Sequence, residues 1–329
     1  MDLQQLDLRP RVAAGVRRGE RAAADVLRLS GLELQRLTGL SLSDVQQLLT
    51  AAATACRPHP PVSAILLHRG ECLRLESGLR LSVGCPVLDQ LLRGGLPVGG
   101  VTELSGESGA GKTQLALQLC LSVQYPAQQG GLDSGAVYIC TEDSFPIRRL
   151  QQLIREQSCL RSDVPPSLIS TLPFGDRVYV EHAADLDSLQ VCLSRRVPLL
   201  LTRGLVRLLV IDSVAALFRC EFQAADWLER TKQMLSVSST LHRLSQEFTT
   251  PVLCVNQVTH TCYLVSPALG LAWANQVMVR LMMRRLQATV ARGDQRSALR
   301  RLEVVFAPHL ARDGRDAGVW REGVRGVTD

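Results

Sequence analysis

From Val101 onward, short apolar runs alternate with amphipathic ones. The runs VTELSG, AVYICTE, RVYVEH, VRLLVIDS and VLCVNQ are brief and rich in branched side chains, as strands are. Between them, KTQLALQLCLSV and RRLQQLIREQ place apolar residues at helical spacing. Strands that alternate with helices predict βαβ units, and therefore an α/β fold with a mostly parallel sheet covered on both faces. The core is expected to begin near Leu79. After Asn275 the pattern changes: QVMVRLMMRRL and RRLEVVFAP flank the turn signal Gly293-Asp294, which predicts a closing antiparallel hairpin. The final GRDAGVWREGVRGVTD reads either as a last edge strand with a tail or as a partner contact. No internal repeat is visible.

Residues 1–55 read differently, as short helices separated by glycine and serine. The last of them, SLSDVQQLLTAAA, has Val45, Leu48, Leu49 and Ala52 on one face and Ser41 as its expected N-cap. Leu37-Thr38-Gly39-Leu40 before it is either a tight hairpin presenting backbone amides to nucleic-acid phosphate or a turn in a plain helical interaction domain. Residues 56–78, with Pro58, Pro60 and Pro61, suit a semi-extended linker. The expected organisation is thus a small all-α domain over 1–55, a linker over 56–78 and an α/β domain over 79–329.

At 329 residues, 46% hydrophobic and 21% charged, the chain can bury a full core and lacks the composition of a disordered protein. The net charge of +6 tilts towards polyanionic partners without proving one. Nearly all of the positive charge is arginine, with lysine only at Lys112 and Lys232. That singles out Lys112, because a compact ammonium serves phosphate as a point charge where a planar guanidinium does not fit. The ten cysteines form no C-x-x-C pair, and the histidines show no ligand spacing, so no metal cluster is expected. Cys140 and Cys254 lie in apolar runs and read as core residues in a reducing, intracellular compartment. With no apolar leader and no run of about 18 apolar residues, the chain is expected to be soluble, with no membrane partner.

Chemistry concentrates in four places. Gly106-Glu107-Ser108-Gly109-Ala110-Gly111-Lys112-Thr113 matches G-x-x-x-x-G-K-[ST], with a strand pattern before it and a helical pattern after it. Amides of such a loop face phosphates at a helix N-terminus, the lysine reaches the outer phosphates, and the threonine hydroxyl holds Mg²⁺. The expected cofactors are ATP and Mg²⁺. Asp212, at the carboxyl end of a very apolar strand, is placed to meet the metal. Glu142 follows another strand and is the candidate base for water attack, with Asp143 expected to cap the next helix. Asn256 and Gln257 end a further strand, where side-chain amides can sense a γ-phosphate.

Taken in order, GESGAGKT, YICTEDSF, LLVIDSVAALFR and LCVNQV make the chain resemble the RecA/Rad recombinase family, and a helical module before the linker is similar to its eukaryotic branch. The resemblance covers nearly the whole chain. It implies a catalytic role for Glu142, a γ-phosphate sensor at Gln257, and adenine packing by Arg149. It also implies two DNA loops, one near Arg219 to Arg230 with Phe222 and Trp227, and one just after Gln257. The implied work is homologous-recombination repair of double-strand breaks and damaged forks in the nucleus, with cytoplasm and mitochondrion as further locations. The implied partners are another recombinase paralogue, RAD fifty-one paralogue C, the main recombinase, and single-stranded or branched DNA.

Two departures bear on this. The second loop region, THTCYLVSP, carries no arginine or lysine, and Pro61-Val62-Ser63-Ala64 lacks the phenylalanine of a Phe-x-x-Ala filament plug. Both favour an accessory subunit with weak DNA-dependent ATPase activity over an autonomous filament-forming strand-exchange motor. A P-loop kinase for a small metabolite, the other alternative, leaves Glu142 and Asn256-Gln257 unexplained.

Overall fold

The computed structural model describes residues 26–56, 63, 65–66, 79–222, 226–261 and 264–327. Most of the expected linker, including Pro61, Val62 and Ala64, lies outside the described residues, as do Met1 to Asp25. Contacts divide the chain into two units, residues 1–75 and 76–329.

In the first unit, helix α1 (Gly31–Thr38) and helix α2 (Leu42–Cys56) form a helical hairpin. Ser30 and Glu33 close a reciprocal capping box at the start of α1, and Gly39 ends it in the left-handed region. Ser41 accepts a hydrogen bond from the Asp44 amide at 3.2 Å, the N-cap contact its position predicts. Val26, Leu34, Val45, Leu48 and Ala52 form this unit's small core.

The second unit is built on a nine-stranded sheet. Its first five strands in chain order are β3 (Val101–Gly106), β4 (Gly135–Cys140), β5 (Val178–His182), β6 (Val206–Asp212) and β7 (Val252–Asn256), preceded by a short antiparallel pair, β1 (Arg80–Leu81) and β2 (Leu96–Pro97). A second short antiparallel pair, β8 (Val258–Thr261) and β9 (Leu264–Pro267), follows β7 and occupies the segment expected as the second DNA loop. The hairpin around Gly293 comprises β10 (Val279–Arg292) and β11 (Gln295–Phe306), and β12 (Gly314–Val319) and β13 (Val324–Gly326) complete the edge. The strand order is β13-β12-β11-β10-β3-β7-β6-β4-β5. From β10 to β5 all neighbours are parallel, and from β10 to β13 all are antiparallel. The C-terminal stretch therefore forms edge strands.

Strands β3, β4, β6 and β7 are buried along nearly their whole length because both faces are covered. On one face Leu104, Tyr138, Val210 and Leu253 pack against Leu115 and Leu119 of helix α4 (Lys112–Ser122, following a short α3 at Pro86–Leu91). On the other, Val137, Ile139, Leu209 and Cys254 meet helices α6 (Val214–Cys220) and α7 (Trp227–Glu247). Helix α5 (Ile147–Arg155) follows β4. The carboxyl ends of β3, β7, β6 and β4 thus lie side by side, with a candidate site residue at or within two residues of each: Gly106, Gln257, Asp212 and Glu142. No described helix is long and apolar enough to cross a membrane.

Candidate functional site

The loop between β3 and α4 adopts its shape through glycine. A Cβ on Gly106 would stand 2.2 Å from the Met283 carbonyl oxygen of the neighbouring β10, so no other residue fits there. Gly111 sits at φ +106° immediately before α4, a conformation side chains rarely adopt. These glycines let the loop lead straight into the N-terminus of α4, and helix N-termini favour anions.

Lys112 Nζ donates to the carbonyls of Gly106 and Glu107, each at 2.8 Å. Burial lowers its pKa, against the opposing charges of Asp212, Glu142 and Glu107. The Thr113 hydroxyl donates to Asp212 Oδ2 at 2.7 Å, and the Tyr138 hydroxyl donates to the same oxygen. Burial, then the Asp212 charge, holds the Tyr138 phenol well above its usual range, so it remains a donor. A hydroxyl and a carboxylate are the hard oxygen ligands that suit Mg²⁺. No group of three or more His, Cys, Asp or Glu side chains able to hold a metal occurs among the described residues.

Across the cleft, Gln257 Nε2 donates to both Glu142 oxygens, at 2.8 and 2.9 Å. Arg219 donates to Glu142 Oε1 at 3.0 Å. One cleft of about 1060 Å³ is lined by Gly106, Glu107, Ser108, Gly109, Gly111, Lys112 and Thr113 together with Glu142, Arg149, Asp212 and Gln257. Ala110, fully buried, packs behind the loop. At the far wall Arg149 is held by Gln114 at 2.6 Å and by the backbone carbonyls of Trp320 at 2.6 Å and Arg321 at 3.0 Å. Burial lowers its pKa, with Glu322 acting in the opposite direction.

The remaining expectations divide. Asp143 is no helix cap: α5 begins at Ile147 after Pro146, with no side-chain cap, because the intervening Phe145-Pro146 carries the chain away before the first helical amides. Of the expected DNA residues, Arg219 is turned towards Glu142, while Arg230 Nε donates to the Phe218 carbonyl at 3.3 Å. Phe222 stacks on Phe218 with ring centroids 6.3 Å apart, whereas Trp227 is 66% exposed. Residues 223–225 lie outside the described residues. Cys140 and Cys254 are buried, and burial, then Asp212, pushes the Cys140 thiol up to about 11.

Several members of the site gave no local signal. Arg300, on β11, donates to the Ala110 carbonyl at 2.9 Å and so braces the glycine-rich loop. The Arg285 amide, on β10, donates to Glu107 Oε1 at 2.8 Å. The C-terminal hairpin thus holds the loop at two points.

A family model described as Rad51 matches residues 74–326. The chain belongs to the Rad51 family. A second model, described as an XRCC3/RpoA-like helix-hairpin-helix domain, matches residues 3–56 of this Rad51-family chain. The chain is similar to two mammalian relatives called DNA repair protein XRCC3. It is 50% identical to that of Mus musculus over 343 residues, covering 99% of this chain and 98% of the relative. It is 52% identical to that of Bos taurus over 337 residues, with the same coverage. A DNA repair protein XRCC3 homolog of Arabidopsis thaliana is 34% identical over 293 residues, covering 77% of this chain and 95% of the relative.

Proposed function

We propose that this Rad51-family chain is an ATP-binding subunit of homologous-recombination repair that supports the main recombinase on DNA. The observation that carries this reading is the convergence of Lys112, Thr113, Asp212, Glu142 and Gln257 in one cleft at the ends of four adjacent parallel strands. Its relatives' shared name, DNA repair protein XRCC3, supports the repair setting.

In this reading the loop amides from Gly106 to Thr113 bind the phosphates, and Lys112 turns from the loop carbonyls to the outer ones. Thr113 and Asp212 hold Mg²⁺, which when bound neutralises charge on the phosphates. The Arg149 guanidinium forms a wall for the adenine. Glu142 orients and deprotonates the attacking water, and Gln257, held against it, senses the terminal phosphate. Arg219 ties the first DNA segment to the same carboxylate, giving DNA a direct route to the water-activating group. Hydrolysis is slow and resets the subunit.

The protein acts as a heteromer with another recombinase paralogue, RAD fifty-one paralogue C, and works in the nucleus. The missing filament plug in the linker and the absence of lysine and arginine from Thr259 to Pro267 favour this over a self-assembling motor. The test is co-expression of the two paralogues followed by single-strand DNA binding with and without ATP, for wild type, Lys112→Ala and Glu142→Gln. A nucleotide-dependent pair whose DNA binding survives Glu142→Gln supports the accessory role. A chain that alone forms filaments and exchanges strands overturns it.

A further inference from the structure

Strands β10, β3 and β7 lie adjacent, and Arg280 of β10 is the register partner of Glu103 of β3. Side chains alternate along a strand, so Glu103, Arg280 and Asn256 share the face that carries Val101 and Cys254, opposite the α4 side. On that face, lined mainly by apolar side chains, the three are in contact. Arg280 Nε donates to Glu103 Oε2 at 2.5 Å, and Asn256 Nδ2 donates to Glu103 Oε1 at 2.6 Å. The Glu103 side chain has no exposed surface and that of Arg280 is 16% exposed. Asn256 Oδ1 in turn accepts the backbone N–H of Gln257 at 2.8 Å.

The orientation of the Asn256 amide is determined, because a carboxylate can only accept and a backbone N–H can only donate. The chain of contacts then reaches the cleft, since the Gln257 side chain donates to both oxygens of Glu142. An ion pair in a sheet core adds little stability over apolar side chains of equal volume. What this one does supply is a single orientation for Asn256 and, through it, for the backbone from which Gln257 projects.

We propose that Glu103 and Arg280 are positioning residues, which act through Asn256 to hold Gln257 against Glu142 and so set how the cleft distinguishes ATP from ADP. This rests on the reading of the cleft as an ATP site. A slip at the root of the C-terminal hairpin would therefore be felt as a change in nucleotide preference and not as a loss of phosphate binding.

The test is calorimetric titration of the full chain with Mg-ADP and with the slowly hydrolysed Mg-ATPγS, for wild type, Gln257→Ala, Asn256→Ala, Arg280→Lys and the double Asn256→Ala/Gln257→Ala. Arg280→Lys keeps the charge and removes the Nε contact, so it carries the test should Asn256→Ala fail to fold. The expected result is ADP affinity within about twofold of wild type and a fall of about fivefold or more in the preference for ATPγS, in each single variant. The double is expected to lose no more than the worse single, as residues of one chain of contacts do. Retained preference in Asn256→Ala and Arg280→Lys, alongside its loss in Gln257→Ala, overturns the inference alone. Wild type that binds neither nucleotide overturns the ATP-site reading and this inference with it.

Discussion

Gln257 and Glu142, 115 residues apart in the chain, meet as a two-point contact: one amide nitrogen lies 2.8 Å from Oε1 and 2.9 Å from Oε2. With Arg219 also on Oε1, the carboxylate is anchored in the lining of the cleft that Lys112 and Thr113 also line. A carboxylate held in this way is oriented for water and still accessible to it.

Glu142→Gln keeps the shape of that contact and removes the base. Turnover is expected to fall by about a hundredfold to ten-thousandfold, while ATP binding stays near wild type. Single-turnover hydrolysis beside equilibrium binding checks this. A variant that hydrolyses at the wild-type rate would remove Glu142 from the chemistry.

Arg280→Ala leaves the Glu103 carboxylate in the sheet core without its cation. Removing one partner of a buried pair costs about 3 to 5 kcal/mol. Urea unfolding of the full chain should show a loss of that order, and Glu103→Leu/Arg280→Met should recover most of it. The double variant would separate stability from positioning, since it recovers the former and still lacks the contact to Asn256.

His309 gives a pH dependence. The Arg80 guanidinium lies 2.8 Å from its Nε2 and can only donate, so the imidazole accepts and is neutral. Burial first, then the charges of Arg80 and Arg93, depress its pKa. In the unfolded chain the ring takes up a proton near pH 6.5, while the folded form resists to a lower pH. Stability from this site is therefore present in full above about pH 6.5 and is lost as pH falls from there to the lower folded value. Thermal melts at pH 7.5 and 5.0 should show a larger drop for wild type than for His309→Gln, which keeps an acceptor and cannot be protonated.

The sequence made some of this site legible and hid the rest for physical reasons. The loop from Gly106 to Thr113 is contiguous and its glycines answer a local demand, so the turn between β3 and α4 could be read directly. Asp212, Glu142 and Gln257 end apolar strands, and strand order brings such ends together. Glu103 gave no signal, because one acid in VTELSG fits simple alternation and its partner Arg280 lies 177 residues further on. Arg300 was hidden in the same way, among the arginines of a hairpin strand. The Asp143 cap failed because a residue type alone does not say where a helix begins: Phe145 and Pro146 intervene.

The central claim is that the cleft binds Mg-ATP through Lys112, and titration of the full chain with Mg-ATP for wild type and Lys112→Ala tests it most directly. Loss of a charged hydrogen-bonding group should cost about 2 to 3 kcal/mol, or about 30- to 150-fold in Kd. Saturable binding by wild type with a weakening of that size in Lys112→Ala is the predicted result. Equal affinity in the two proteins, or no binding in either, would contradict the account.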